Sequence, residues 1–219
     1  MSSRKPVRAV MSLAMLGGLF LSAVPTASAA APPEAASCAA CHGADGMGNA
    51  AAGYPRLAGL PAQYLADQLH HFADGTRANA IMSGMARPLN AAQVTALANY
   101  YAGLPAVGGP LGAKSTGAAA IEGERLAVRG DWSAGVPACL RCHGPEAVGV
   151  GTAFPALTGQ SAAYIEGQIK AWKEGNRRGD PNGLMHTVAL RMTDAQTQAV
   201  AQWLAAQPLS LPKSAAAKH

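Results

Sequence analysis

Cys38-Ala39-Ala40-Cys41-His42 and Cys139-Leu140-Arg141-Cys142-His143 are the two stretches on which the reading of this chain turns. Each opens the same run of residues. Tyr54-Pro55-Arg56-Leu57-Ala58-Gly59 recurs as Phe154-Pro155-Ala156-Leu157-Thr158-Gly159. Tyr64, Gln68, Phe72, Gly75 and Arg77 recur as Tyr164, Gln168, Trp172, Gly175 and Arg177. After a three-residue insertion, the segment from Ile81 to Tyr100 matches Leu184 to Trp203 without a gap. Two copies of a unit of about 80–90 residues indicate two domains rather than a solenoid.

Within each copy the apolar spacing is helical. Pro61 is placed to open one helix at its first position, with Tyr64, Leu65, Leu69 and Phe72 on one face. Its counterpart starts near Ser161 and carries Tyr164, Ile165, Ile169 and Trp172. Asn90 with Gln93, and Thr193 with Gln196, have the spacing of capping boxes opening a final helix in each copy. Those helices present Val94, Leu97 and Tyr101, and Val200, Trp203 and Leu204. No long stretch alternates with period two, so the expected class is all-α. With 5% aromatic residues and 25 Gly, each domain has little with which to build a core alone. A large buried cofactor would supply the missing apolar volume.

C-x-x-C-H is the attachment signal of haem c. Two thiols add to the two vinyl groups as thioethers, and the adjacent histidine comes to lie under the iron. Four Cys and six His in 219 residues give on the order of 0.002 chance matches, so two matches in register are not coincidence. A thioredoxin-type dithiol would need a βαβ context, which is absent. A zinc site would need four ligands, and the motif supplies three. A plain disulfide leaves the repeated histidine without a role. The expected cofactors are therefore two covalently bound haem c, held by Cys38 and Cys41, and by Cys139 and Cys142, with His42 and His143 as proximal iron ligands. No cysteine is left over for a thiolate-ligated catalytic iron.

The sixth ligand of an electron-transfer haem is usually Met or His. Met47, Met82 and Met85 are the candidates in the first domain. Met47 follows His42 too closely to reach the opposite haem face. Met82 aligns with Met185, whereas Met85 aligns with Val188. A symmetric pair of sites selects Met82 and Met185, with Met85 as the rival in the first domain and His186 as a weaker rival in the second. Met192 aligns with Leu89 and reads as core. His70 and His71 read as surface positions. A ligating histidine usually donates its second ring N–H to a carbonyl, and Pro55 and Pro155 lie where such carbonyls are needed. Tyr64, Tyr164, Arg77 and Arg177 are candidates for haem propionate contacts.

The first residues read as an export signal. Arg4, Lys5 and Arg8 precede an apolar run from about Ala9 to Val24, then Ala27-Ser28-Ala29 gives an A-x-A cleavage pattern. The run is shorter than the ~20 residues needed to span a bilayer. The expected division is a signal peptide at 1–29, a first domain at 30–107, a linker at 108–117, a second domain at 118–208 and a tail at 209–219. The Gly-, Ala- and Pro-rich stretch from Ala106 to Gly117 has nothing large to bury, as a linker should. Without the signal, 14 basic residues face 12 acidic ones, so no strong charge remains and no basic stripe points to nucleic acid. Lys170, Lys173, Arg177 and Arg178 read as a solvated helix face, with steering of an acidic redox partner as the alternative.

These residues resemble the cytochrome c₄ family, tandem class I cytochromes c of bacterial periplasms. The resemblance covers nearly all of residues 36–206. It rests on C-x-x-C-H-G, aromatic-Pro-x-Leu-x-Gly, Tyr-x-x-x-Gln, and a Met seven residues before the apolar position that opens the last helix. Gly123-Glu124-Arg125-Leu126 and Gly135-Val136-Pro137-Ala138-Cys139 also resemble the start of the family's second domain. The family implies His/Met ligation at both irons, two domains related by a pseudo-two-fold axis with haem propionate edges facing one another, and electron delivery towards a terminal oxidase. One departure is that few residues separate the predicted cleavage site from Cys38, so the family's N-terminal helix is mostly missing.

The expected function is that of a periplasmic one-electron carrier, without enzymatic activity or a small-molecule substrate. Its partners would be redox proteins, a membrane or soluble donor and a terminal oxidase as acceptor, with membrane-surface association left open. The alternative is a cytochrome subunit of a dehydrogenase complex, with a flavoprotein or alcohol dehydrogenase as partner. A catalytic di-haem enzyme would need an open iron position, which paired methionines oppose.

Overall fold

The structure is a computed structural model, and it describes residues 30–107, 112 and 116–209. The predicted signal peptide, most of the predicted linker and residues 210–219 of the predicted tail lie outside the described residues. Among the described residues the chain is helical, with isolated antiparallel bridges in place of sheet.

The first domain contains α1 (Ala35–His42), α2 (Ala62–Asp74), α3 (Ala80–Ala86) and α4 (Ala91–Gly103). Pro61 sits one residue before α2 rather than inside it, with an extended ψ of 133°, and its fixed φ of −56° leads the chain into the helix. Both expected capping boxes form. Asn90 accepts from the Gln93 backbone and Gln93 reaches back, and Thr193 and Gln196 do the same. The first core gathers Ala35, Leu60, Leu65, Leu97, Ala98 and Tyr101. Gln93 Nε2 donates to Glu34 Oε1 at 2.6 Å, tying the short α1 to α4.

The second domain contains α5 (Gly117–Val128), α6 (Cys139–His143), α7 (Ala162–Lys173), α8 (Leu184–Arg191) and α9 (Asp194–Ala205). α5 has no counterpart among the described residues of the first domain. It packs on α9 and brings Leu126 into a larger core with Val136, Ile165, Ile169, Trp172, Met192, Val200 and Leu204. Met192 is buried there as expected. Leu209 Cδ1 reaches back against Gly159.

The domains meet through reciprocal contacts, the signature of a pseudo-two-fold axis. Arg77 and Arg177 form an antiparallel bridge, Ala78 N donates to Asn176 O at 2.7 Å, and Arg178 N donates to Thr76 O at 2.8 Å. The expectation of one solvated basic face on α7 and after it is therefore corrected. Arg177 is buried at this contact, while Lys170 and Lys173 pair outward with Glu174 and Asp194. His71 also departs from a surface reading. It is half-buried, with its ring against Gly179 of the second domain.

Candidate functional site

On a helix, residues three and four apart share a face. α1 and α6 thus present two thiols and an imidazole together: Cys38, Cys41 and His42, and Cys139, Cys142 and His143. None of the four cysteines is paired in a disulfide. Both histidines are buried, and His42 Nδ1 lies 2.9 Å from Pro55 O while His143 Nδ1 lies 2.8 Å from Pro155 O. A carbonyl accepts only from an N–H, so Nδ1 carries the proton and Nε2 keeps its lone pair for a metal. Burial lowers both imidazole pKa values, with the carbonyl bond opposing. Neutral, oriented rings result.

Local chain geometry holds those carbonyls in place. Gly48 N donates to His42 O, and Gly149 N to His143 O, each at 2.8 Å. Asn49 with Tyr54, and Val150 with Phe154, then bridge the loop so that the proline carbonyl turns inward. Gly48 has φ +79°, and a Cβ there would sit 2.7 Å from the Pro55 oxygen. Any larger residue would push that carbonyl off the imidazole.

A cavity of about 400 Å³ opens in the first domain, within the range of cofactor pockets. Cys38, Cys41 and His42 line it together with Met82, and so does Met85. Met47 is outside that lining. Met82 is half-buried in α3, its backbone N–H capped by the Asn79 side chain at 2.9 Å, whereas Met85 is 37% exposed. In the second domain Cys139, Met185 and Val188 each pack against the core. His186 Nδ1 lies 2.8 Å from Trp172 O.

The inner end of the first cavity is closed by the second domain, through Tyr164, Gln168 and Asn176. There the paired arginines cross. Arg77 donates to Tyr164 Oη at 2.9 Å and to Gln168 Oε1 at 2.6 Å, and Arg177 donates to Tyr64 Oη and Gln68 Oε1, both at 3.1 Å. Each guanidinium also lies over an aromatic ring, Arg77 on Phe72 at 4.4 Å and Arg177 on Trp172 at 4.0 Å. Neither has a carboxylate partner among the described residues. Buried charges are ordinarily paired. An apolar slot with two thiols and an oriented imidazole on one wall, and Arg77 without a carboxylate partner at its inner edge, fits an iron porphyrin bearing propionates.

The cytochrome c family model matches residues 33–104 and again 123–207. The chain is 75% identical over 214 residues to a thiosulfate dehydrogenase electron acceptor of Thiomonas intermedia, covering 98% of both. It is 34% identical to cytochrome c4 of Pseudomonas aeruginosa over 183 residues, covering 81% of this chain and 87% of that one. The chain belongs to the cytochrome c4 family. Among solved structures, reduced cytochrome c4 from Pseudomonas stutzeri superposes with a TM-score of 0.72 at 33% identity, over 80% of this chain and 95% of that one. The thiosulfate dehydrogenase of Marichromatium purpuratum matches with a TM-score of 0.73 at 41% identity, over 78% of this chain. The matched part is 36% of that longer chain. As a cytochrome c4, this protein is an all-α electron carrier with two haem c and two cytochrome c domains.

Sequence reasoning passed over Arg56 and Gln160. Arg56 N donates to Gln160 Oε1 at 3.1 Å, and Gln160 Nε2 donates to Arg56 O at 2.9 Å. The signal that could have found them is a break in the repeat: Arg56 stands opposite Ala156, and Leu60 opposite Gln160.

Proposed function

We propose that this cytochrome c4 is the electron acceptor of a thiosulfate dehydrogenase in the periplasm. The observation that supports it most is the 75% identity, over 98% of both chains, to a relative named for that role. This reading takes up the alternative raised by the sequence, a cytochrome partner of a dehydrogenase, with thiosulfate dehydrogenase in place of a flavoprotein or alcohol dehydrogenase. Onward delivery to a terminal oxidase rests on the family resemblance alone. Periplasmic placement rests on that resemblance and on the predicted signal over residues 1–29. No helix among the described residues is long and apolar enough to cross a membrane.

In this proposal the first domain spans 30–107 and the second 118–208, joined by 108–117. Cys38 and Cys41 hold one haem, Cys139 and Cys142 the other. His42 with Met82, and His143 with Met185, would ligate the two irons. When bound, each haem takes up and gives up one electron at a time. The chain's own part is to hold its groups still. Pro55 and Pro155 fix the imidazole rings, the thioethers fix the macrocycle, and the apolar walls exclude water. Sulfur ligation through Met raises the potential, which favours accepting electrons.

The test is rapid-mixing absorbance with the oxidised, haem-loaded protein, purified thiosulfate dehydrogenase and thiosulfate. Reduction of both haems only when all three are present, faster than with an unrelated cytochrome c of similar potential, is the expected result. Equal rates with the unrelated cytochrome would remove the partner assignment.

A further inference from the structure

The two halves repeat closely around each histidine, differing in charge at the exposed Arg141, opposite Ala40, and at one buried position. Arg56 immediately follows Pro55, whose carbonyl orients His42, and its counterpart beside His143 is Ala156. Arg56 is 2% exposed, and its side chain is among the largest in the molecule to be fully buried. Nη1 donates to the carbonyl of Ala58, and Nη2 donates to Thr158 O of the second domain at 3.0 Å. Nε has no hydrogen-bond partner, and no carboxylate pairs with the guanidinium among the described residues. Arg56 also lines the first cavity with His42.

Burial lowers the Arg56 pKa to about 10, so the group remains a cation at neutral pH. Reducing an iron centre lowers its charge by one, and a fixed positive charge beside it favours that change. The interaction is strongest where water is excluded. No proton need move, because the guanidinium keeps its own. The second site, with Ala156, lacks this cation.

We infer that Arg56 is the residue that makes the two haem sites electrostatically unequal, holding the first haem at a higher potential than its ligands alone would set. A propionate approaching Nε would reduce the effect without removing the difference between Arg56 and Ala156. The inference rests on the di-haem reading with His42 at the first iron. The unaltered protein tests that reading separately, through its two low-spin haem spectra.

The experiment is a spectroelectrochemical titration of the haem-loaded protein and three variants, with each haem assigned by the methyl resonances of its methionine ligand. Arg56→Met and Arg56→Gln remove the charge, the second keeping a hydrogen-bond donor. Either is expected to lower the first haem's reduction equilibrium roughly tenfold, about 59 mV for one electron, while the second haem stays in place. Gln160→Leu opens the same domain contact but keeps the cation. It is expected to leave both potentials unchanged while lowering the melting midpoint. Unchanged potentials in whichever neutral variant matures would overturn the inference, as would equal shifts at both haems. A first-haem shift in Gln160→Leu matching that of the neutral variants would also overturn it, assigning the effect to domain geometry.

Discussion

Met82 and Met85 are three residues apart on α3, so both point toward the first cavity and both line it. The choice between them rests on the repeat, because only Met82 has a methionine counterpart, Met185. Met82→Ala is accordingly expected to abolish the far-red Met–iron band of one haem and lower its potential, while Met85→Leu leaves band and potential in place. A lost band in Met85→Leu would exchange the two roles. The contrast shows what is legible at this scale. Cys38, Cys41 and His42 are adjacent in sequence, so one turn of helix places them and the motif alone identifies them. A distal ligand some forty residues away depends on how α3 lies over the cavity, which spacing narrows without deciding. Arg56 was least legible of all. A lone arginine reads as a surface residue, and the partners that bury it, Thr158 and Gln160, belong to the other domain.

At the scale of elements, α4 and α9 announced themselves through their capping boxes, a local signal that needs no tertiary partner. α5 did not, because its contact face is built from small residues. Gly123, Leu126 and Ala127 are its buried positions, too plain a stripe to read as amphipathic. The structure gives Gly123 its reason. A Cβ there would collide with the Ala199 carbonyl and sit 2.7 Å from Trp203 Cβ, so glycine sets how closely α5 approaches α9. Gly123→Ala is expected to cost roughly 1–3 kcal/mol, a fall of several degrees in the melting midpoint of the haem-loaded protein. Gly167 in α7 is the control, exposed and with nothing within 4 Å of where a Cβ would sit. Gly167→Ala is expected to raise the midpoint slightly, by about 1 kcal/mol of helix propensity. Equal effects at the two glycines would mean that propensity and not helix approach governs the second domain.

At the scale of the whole molecule, the repeat foretold two domains and named Arg77 and Arg177 as equivalents, while the two-fold relation was implied by the family resemblance. What it could not foretell was that each reaches across to the other domain's tyrosine and glutamine, since pairing within a domain satisfies the same pattern. His71 sits beside this crossing with its ring against Gly179, and its carbonyl accepts from Arg77 N at 2.8 Å. Its pKa is lowered from 6.5, first by burial, with Asp74 and Asp67 opposing and Arg177 and Arg77 adding to the decrease. Between the folded and unfolded pKa values the unfolded chain therefore binds more protons. Stability contributed by neutral His71 is full above about pH 6.5 and is lost as pH falls toward the folded value. His42 and His143 share the direction of shift, each with a proline carbonyl on Nδ1, and in the proposal above iron on Nε2 would keep them from titrating. His71→Ala, matching Ala171 in the second repeat, removes the titrating ring while leaving the rest of α2 unchanged. The loaded protein is expected to melt a few degrees lower at pH 5.5 than at pH 7.5, at about 2–4 °C per kcal/mol, and the variant to show a smaller fall. An identical fall in both would place the acid sensitivity elsewhere, leaving the domain contact indifferent to pH.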